Sequence, residues 1–276
     1  MLRNTADMHG FAIEATDGRI GHVRDLFFDD AAWVVRYLVV DTGAWLSGRQ
    51  VLLSPISAGR LNWSDKLLAV SITKEQVKNS PDIDAHKPVS RQQELQYLTY
   101  YGYPRYWGGA DLWGAYLHPG MLLPDYGAHG IADTAARETE RAVAEAEATP
   151  QKGDDPHLRS CDAVENYHIH AADGDIGHVE GLLFDDESWA VRYVIANTSN
   201  WWLGHKVLVA PKWIEDVSWK DGTISVDLTR QAVKDSPLYD ATVHLDRDQE
   251  TALYRHYRRP EYWTDEVKRE TEISRI

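Results

Sequence analysis

The sequence contains one long segment twice. Residues 2–107 and 158–263 align at a constant offset of 156 residues, with no insertion or deletion. The shared residues include Asp17-Gly18 and Asp173-Gly174, Ile20-Gly21-His22-Val23 and Ile176-Gly177-His178-Val179, Phe28-Asp29-Asp30 and Phe184-Asp185-Asp186, and Trp33, Trp45 and Trp63 with Trp189, Trp201 and Trp219. A period this long is that of a whole domain rather than of a solenoid repeat, so the sequence predicts two copies of one module.

The two copies set the expected domain boundaries. We expect module one at 1–107, a linker at 108–157, module two at 158–263 and a polar tail at 264–276. Within the linker, the Gly-, Pro- and aromatic-rich part up to residue 130 predicts an ordered loop packed against a module. The Ala/Glu-rich stretch 131–148 favours a solvated helix, and 149–156 favours a polar hinge.

The charge pattern excludes several classes of partner. The chain of 276 residues has a net charge of −14, which disfavours non-specific binding to nucleic acid or to anionic lipid. Residues 1–107 hold 12 acidic and 12 basic side chains, so the excess acid belongs to the linker and the second half.

The single cysteine, Cys161, excludes an internal disulfide, and there is neither an apolar signal core nor an apolar run of membrane length. We therefore expect a cytoplasmic protein.

Each module reads as short strands followed by helices. Asp17-Gly18 is a two-residue hairpin signal, and the apolar run 33–40 predicts a strand covered on both faces. Thr73 and Gln76 form a capping box that opens one short helix, and a second helix is predicted from Arg91 to about Tyr101. The fold class is mainly β: a small closed barrel of about six strands with a helical tail, present twice.

The modules resemble the PRC-barrel family. The resemblance rests on Gly18-x-Ile20-Gly21-x-Val23 leading to Phe28-Asp29, on the apolar strand through Tyr37, and on Val51-Leu52 before Pro55. It covers 2–85 and 158–241. The ends Pro104-x-Tyr106-Trp107 and Pro260-x-Tyr262-Trp263 look like those of stand-alone bacterial tandem proteins with this domain.

The resemblance implies binding rather than catalysis. The family includes the cytoplasmic domain of the photosynthetic reaction-centre H subunit, which docks on a membrane complex, and a domain of the ribosome-maturation factor RimM, which docks on a ribosomal protein. The chain lacks the membrane helix of the first and the N-terminal domain of the second, so neither role transfers whole. The expected partner is another protein. One option is the cytoplasmic face of an electron-transport or photosynthetic-type membrane complex, which would place the chain beside the inner membrane.

Arginine and tryptophan at matched positions are the candidates for docking. If Tyr37 points inward, Arg36 points outward from the same strand, among apolar neighbours. Interfaces are enriched in Arg, Trp and Tyr, so the sequence favours protein binding there. The alternative is that this face is covered by the module's own helices or by the sister barrel. The candidates are Trp33, Arg36, Trp45, Trp189, Arg192 and Trp201.

Chemistry-bearing residues give no catalytic constellation. His22 and His178 stand near aspartates, but no nucleophile or third group recurs with them, so no catalytic residue and no cofactor are predicted. His168-x-His170 is half of a possible zinc site with Cys161 as a third ligand, against the alternative of an exposed histidine pair. Asp29-Asp30 reads either as a cation site or as an acidic hairpin turn.

These observations predict a non-enzymatic binding scaffold or assembly factor with its two barrels paired. Two alternatives stay open: a small-molecule or metal sensor that uses the histidines of module two, and an enzyme of unrecognised type.

Overall fold

A computed structural model describes residues 1–82, 89–107, 109, 111–123, 156–198, 205–264 and 266. The predicted linker helix 131–148, the hinge at 149–155, Trp201 and residues 267–276 of the tail lie outside these ranges. Among the described residues, no helix has the length and apolar character needed to cross a membrane.

The first repeat is built of short strands followed by two helices. Its strands are β1 (Leu2–Asn4), β2 (Ala12–Ala15), β3 (Gly18–Asp29), β4 (Val34–Asp41), β5 (Gln50–Leu53), β6 (Ala58–Asn62), β7 (Leu67–Val70) and β8 (Val89–Ser90), and its helices are α1 (Lys74–Lys78) and α2 (Arg91–Tyr101). The hairpin, both helices and the capping box on Thr73 are confirmed.

The second repeat has nearly the same order of elements, but it has no counterpart of β8, and it has a short helix where the first repeat has the 3-10 turn Thr5–Met8. Its strands are β9 (Pro156–Ser160), β10 (His168–Ala171), β11 (Gly174–Asp185), β12 (Val191–Asn197), β13 (Lys206–Val209), β14 (Ile214–Ser218) and β15 (Thr223–Val226), and its helices are α3 (Cys161–Val164), α4 (Arg230–Lys234) and α5 (Arg247–Tyr257). Strand β9 begins inside the segment that the sequence predicted as a hinge.

The structure is mainly β, with two mixed sheets of the same order. The first runs β5-β4-β3-β2-β7-β6 and the second β13-β12-β11-β10-β15-β14. In both, the pairing of β2 with β7 or of β10 with β15 is parallel, whereas the neighbouring pairs are antiparallel. Over the described residues each order is an open path of six strands within a larger sheet, of eight strands for the first and seven for the second, and closure into a barrel stays a prediction.

Strand β4 lies in the core. Every residue from Val34 to Val40 is buried, which confirms that this strand is covered on both faces. Alternation along β4 places Tyr37 and Arg36 on opposite faces, and both are nearly inaccessible to solvent. Arg36 is therefore buried within the protein and is not presented on an outer face.

The chain divides into two compact units. The first comprises residue 1, 3–165 and 181–192, and the second comprises residue 2, 166–180 and 193–276. The first unit thus contains the whole first repeat after Leu2, together with β9, α3 and the turn that joins β11 to β12.

Strand β9 belongs to the first sheet although its sequence belongs to the second repeat. It pairs antiparallel with the end of β3, where Phe28 faces Arg159 and Asp29 faces Leu158. The N–H of Asp30 donates to the carbonyl of His157 over 2.9 Å, and Arg159 Nε lies 2.8 Å from Asp30 Oδ2.

The same arrangement recurs at the matched positions of the first unit. Strand β1 pairs with β11, and the N–H of Asp186 donates to the carbonyl of Met1 over 3.1 Å. Arg3 Nε lies 3.8 Å from Asp186 Oδ2. Since Met1 and His157, Arg3 and Arg159, and Asp30 and Asp186 are all 156 positions apart, each repeat receives its first strand from the other repeat.

Candidate functional site

A groove opens on the first compact unit beside the start of β3. It has a volume of about 540 Å³. Its walls come from β3, from the end of β4 with the loop after it, from the turn before β2 and from the first residue of α1. The lining residues are His9, Gly10, Arg19, Ile20, Gly21, His22, Val23, Arg24, Asp41, Thr42, Gly43, Trp45 and Lys74.

The groove is basic. The side chains of Arg19, His22 and Arg24 are exposed, and none of these three side chains has a hydrogen bond or ion pair within the described parts of the chain. Asp41 is the one carboxylate among the lining side chains, and its Oδ1 accepts the N–H of Gly43 over 2.8 Å. The lining thus holds three basic side chains, Arg19, Arg24 and Lys74, against one carboxylate, and this excess of positive charge favours an anionic ligand.

Trp45 forms a fixed wall of the groove. Its indole N–H donates to the carbonyl of Ile20, and the ammonium of Lys74 lies 4.7 Å from the ring centroid. A cation over an indole face is favourable, so both side chains are held in place before any ligand arrives. Trp45 was predicted from the sequence as a docking residue. In the structure it is half-buried and lies in the wall of the groove.

Gly21 explains the close approach of the strands at the floor of the groove. A Cβ on Gly21 would lie 2.0 Å from the carbonyl oxygen of Asp41, and one on Gly177 would lie 2.0 Å from that of Asn197. No side chain fits there, which is why both copies of the hairpin motif carry glycine at this position.

The second repeat reverses the charge at the matched positions. His9, Arg19 and Arg24 correspond to Glu165, Asp175 and Glu180, as the sequence offset shows. In the second unit, Glu180 also accepts a hydrogen bond from Asn197 over 2.9 Å and pairs with Lys206. The basic character is thus a property of the first repeat alone.

A second polar assembly, here called the Glu94 cluster, is closed to solvent. Glu94 is 0% exposed, and its Oε2 lies 3.1 Å from Arg91 Nη1 and 2.5 Å from His157 Nε2. The Tyr106 hydroxyl donates to its Oε1. Arg91 Nη2 also lies 3.3 Å from Asp29 Oδ2. A buried carboxylate needs such partners, because its desolvation costs several kcal/mol.

Arg36 lies in the same cluster. Its guanidinium carbon is 3.8 Å from the centroid of the Tyr106 ring and 4.5 Å from that of Trp113. Its Nε and Nη1 have no hydrogen-bond partner among the described residues. Burial lowers the pKa of Arg36, while Tyr106, Asp29 and Glu94 favour its charged form. Trp113, which belongs to the first part of the predicted linker, is itself fully buried.

The cluster also sets the ionisation of its members. Burial acts to raise the pKa of Asp29, but Arg36, the N–H of Ala32 and Arg91 outweigh it, so that pKa is lowered. Burial, and then the Glu94 carboxylate, raise the pKa of Tyr106 well above its usual value. The cluster therefore holds a charged aspartate and a neutral tyrosine.

The second unit contains a matching cluster. The hydroxyls of Tyr193 and Tyr262 donate to Glu250 Oε1 over 2.8 and 3.0 Å, and Arg247 Nη1 lies 2.9 Å from Glu250 Oε2. The guanidinium of Arg247 lies 4.2 Å from the Trp263 ring, as that of Arg91 lies 4.5 Å from Trp107. The duplicated Pro-x-Tyr-Trp tail thus packs through its tyrosine onto a buried carboxylate.

The predicted docking residues were expected on an outer face of the module, but most of those that the structure describes are buried. Arg36 and Arg192 are 2% and 8% exposed, and Trp189 is 3% exposed, whereas Trp33 is half-buried. This burial corresponds to the alternative reading, in which the face of β4 is covered by the protein itself. A role for these residues in binding stays a prediction.

The predicted metal ligands occupy separate local settings. His168 is exposed, His170 pairs through Nδ1 with Asp175, and Cys161 is buried, which raises the pKa of its thiol. Within the described residues no three His, Cys, Asp or Glu side chains are placed to hold a metal. Asp29 accepts the N–H groups of Ala31 and Ala32, which is the acidic hairpin turn that the sequence offered as one reading.

Sequence reasoning missed Glu94, His157 and the groove. Glu94 and Glu250 are identical at the repeat offset and lie on the helix face with apolar neighbours, which is a signal of a buried carboxylate. The groove could have been found by comparing the charges at matched positions of the two repeats. His157 had no such signal, because its partner is 63 residues distant.

The fold and the two sites define a mainly β protein of duplicated modules, each with a polar cluster under its tail. No family model matches the chain. An uncharacterized protein of Deinococcus radiodurans is 35% identical to it over 74 residues, which make up 27% of this chain and 26% of that protein. The chain therefore matches about a quarter of that relative's length, and the relative's name states no activity.

Proposed function

We propose that the chain is a non-enzymatic protein-binding scaffold or assembly factor built of two PRC-type barrels. The observation that carries this proposal is the closure of the Glu94 cluster: its carboxylate is 0% exposed, and both of its oxygens have partners on the protein. Groups held in this way pack the tail of each repeat and do not reach a substrate.

The open groove supports binding rather than chemistry. The carboxylate nearest to His22 in the groove is Asp41, its neighbour across β3 and β4, and both side chains are exposed. A tryptophan beside exposed arginines suits a protein interface, because both residue types are enriched there.

The resemblance to the PRC-barrel family suggests which kind of partner the chain binds. Family barrels dock on larger assemblies, so we place this chain at the cytoplasmic face of a protein complex, with a membrane complex of the electron-transport type as the first candidate. The duplication supports an assembly role as well, because two modules in one chain can each offer a docking surface.

A second candidate function is a small-molecule sensor. The volume of about 540 Å³ lies within the range of small-ligand pockets. This observation favours the groove of the first repeat, not the histidines of module two, as the place where such a ligand would bind.

Site-specific photocross-linking in the native cell tests the scaffold. A benzophenone amino acid replaces Ala44 beside the groove, and in other variants exposed Met121 or Leu238. A scaffold gives a discrete protein cross-link from at least one position, with light-free samples as the control. A chain that gives no discrete protein product from any position is not a scaffold.

A further inference from the structure

The groove of the first repeat carries one more inference, which rests on the proposed binding function. We infer that it binds an acidic, extended peptide segment of the partner protein, with carboxylates of that segment on Arg19, His22 and Arg24. Trp45 would form the apolar side of the same site.

The spacing of His22 and Arg24 fits an extended chain. His22 and Arg24 are two positions apart on β3 and are both exposed, whereas Val23 between them is buried. Alternate side chains of a strand are about 6.6 Å apart, and alternate side chains of a bound extended peptide repeat at the same distance. Acidic residues at every second position could therefore accept a hydrogen bond from the imidazole N–H of His22 and from the guanidinium of Arg24.

The peptide would cross the face of the sheet and would not extend its edge. Strand β3 lies inside the sheet, with β2 on one side and, from His22 onward, β4 on the other, so it is not an edge strand to which a peptide could add. Recognition must then come from side chains. Arginine suits this task, since its planar guanidinium can form two hydrogen bonds to one carboxylate.

The walls of the groove add apolar contact beside the charges. The ring of Trp45 is held by its bond to Ile20 and by Lys74, so little side-chain entropy is lost on binding. A segment that alternates acidic and apolar residues would place one set on the arginines and the other near the indole.

Charge favours a peptide over nucleic acid. Nucleic-acid sites need basic stripes that neutralise several phosphates, within a domain of basic overall charge. Here the basic residues form one small cluster in a chain of net charge −14. The second repeat supplies the opposite case, because Asp175 and Glu180 stand where Arg19 and Arg24 stand, and we expect no acidic peptide to bind there.

Fluorescence anisotropy with the full chain tests the inference. The probes are labelled peptides of alternating glutamate and valine, the same peptide with lysine for glutamate, and a single-stranded oligothymidine. We expect the glutamate peptide to bind, to bind more weakly at high salt, and to lose at least about tenfold in affinity in the double variant Arg19→Asp, Arg24→Glu.

Two controls make the result specific. The double variant carries residues that the second repeat holds at the matched positions, so it should fold, and circular dichroism checks this. Arg60→Glu changes an exposed arginine outside the groove and should leave binding unchanged. The inference is overturned if the lysine peptide binds equally well, if oligothymidine binds more tightly, or if the double variant has no effect. In that case a cross-linked partner from Met121 or Leu238 would still support the proposed scaffold function.

Discussion

The N–H of Val35 donates to the carbonyl of Trp189 over 2.8 Å. The matched bond, from the N–H of Val191 to the carbonyl of Trp33, has the same length, and all four residues belong to the first compact unit. Both tryptophans adopt positive φ, 54° and 62°, which is uncommon for a bulky residue. The pair of bonds holds this turn conformation in both repeats.

Replacing Trp189 by alanine should destabilise the protein more than the same change at Trp33. Trp189 is 3% exposed and packs on Phe184, so we expect a loss of about 3–5 kcal/mol in the free energy of unfolding. Trp33 is half-buried, so its loss should be smaller. Urea denaturation of both variants measures the difference, and equal or negligible losses would contradict the packing described.

Glu94→Gln should destabilise the protein by about 3–5 kcal/mol, because Arg91 and His157 then lose their shared carboxylate in a buried site. Thermal and urea unfolding measure the effect. Glu75→Gln on α1 is the matched control, since that side chain is exposed, and it should change stability by less than about 0.5 kcal/mol. If both variants unfold alike, the cluster contributes nothing.

Asp29→Asn should lower the free energy of unfolding at neutral pH but not in acid. The pKa of Asp29 is lowered from its usual 3.8, so its ionised form favours the folded state. That stabilisation is fully present above pH 3.8 and is lost as pH falls through the lowered value. We expect about 1–3 kcal/mol at pH 7, shrinking in acid. Denaturation across pH, with exposed Asp7→Asn as control, checks the trend. A difference that is independent of pH would rule out this ionic role.

Gly21→Ala should be costly because the added methyl has no room. Its Cβ would lie 2.0 Å from a backbone oxygen, so β3 and β4 must separate, at about 1–3 kcal/mol or more. Gly177→Ala should behave alike. Gly120→Ala is the control, because a Cβ there meets nothing within 4 Å. Melting temperatures that match the wild type for all three variants would refute the close approach.

Local signals allowed the sequence to predict the hairpins and helices. The Asp17-Gly18 turn and the capping box of Thr73 and Gln76 depend on residues a few positions apart, and helix α2 was likewise predicted from Arg91 to about Tyr101. The apolar run of β4 likewise predicted that this strand is buried.

Long-range partners could not be predicted in the same way. Alternation put Arg36 opposite Tyr37, but the residues that cover Arg36 are Tyr106 and Trp113, far along the chain. The pairing of β9 with β3 has no local signal, because the segment around Pro156 is polar. By contrast, the basic side chains of the groove could be found in the sequence, because the second repeat has acidic residues at the matched positions.

The exchange of first strands means that each half of the polypeptide contributes a strand to the pairing of the other half. A protease cut between Leu123 and Pro156 would sever the backbone but leave the hydrogen bonds between β9 and β3, and between Met1 and Asp186, in place. The two fragments should therefore elute together, and two halves expressed as separate chains should reassemble. The covalent connection then raises the local concentration of one half about the other, while noncovalent pairing gives the molecule its architecture.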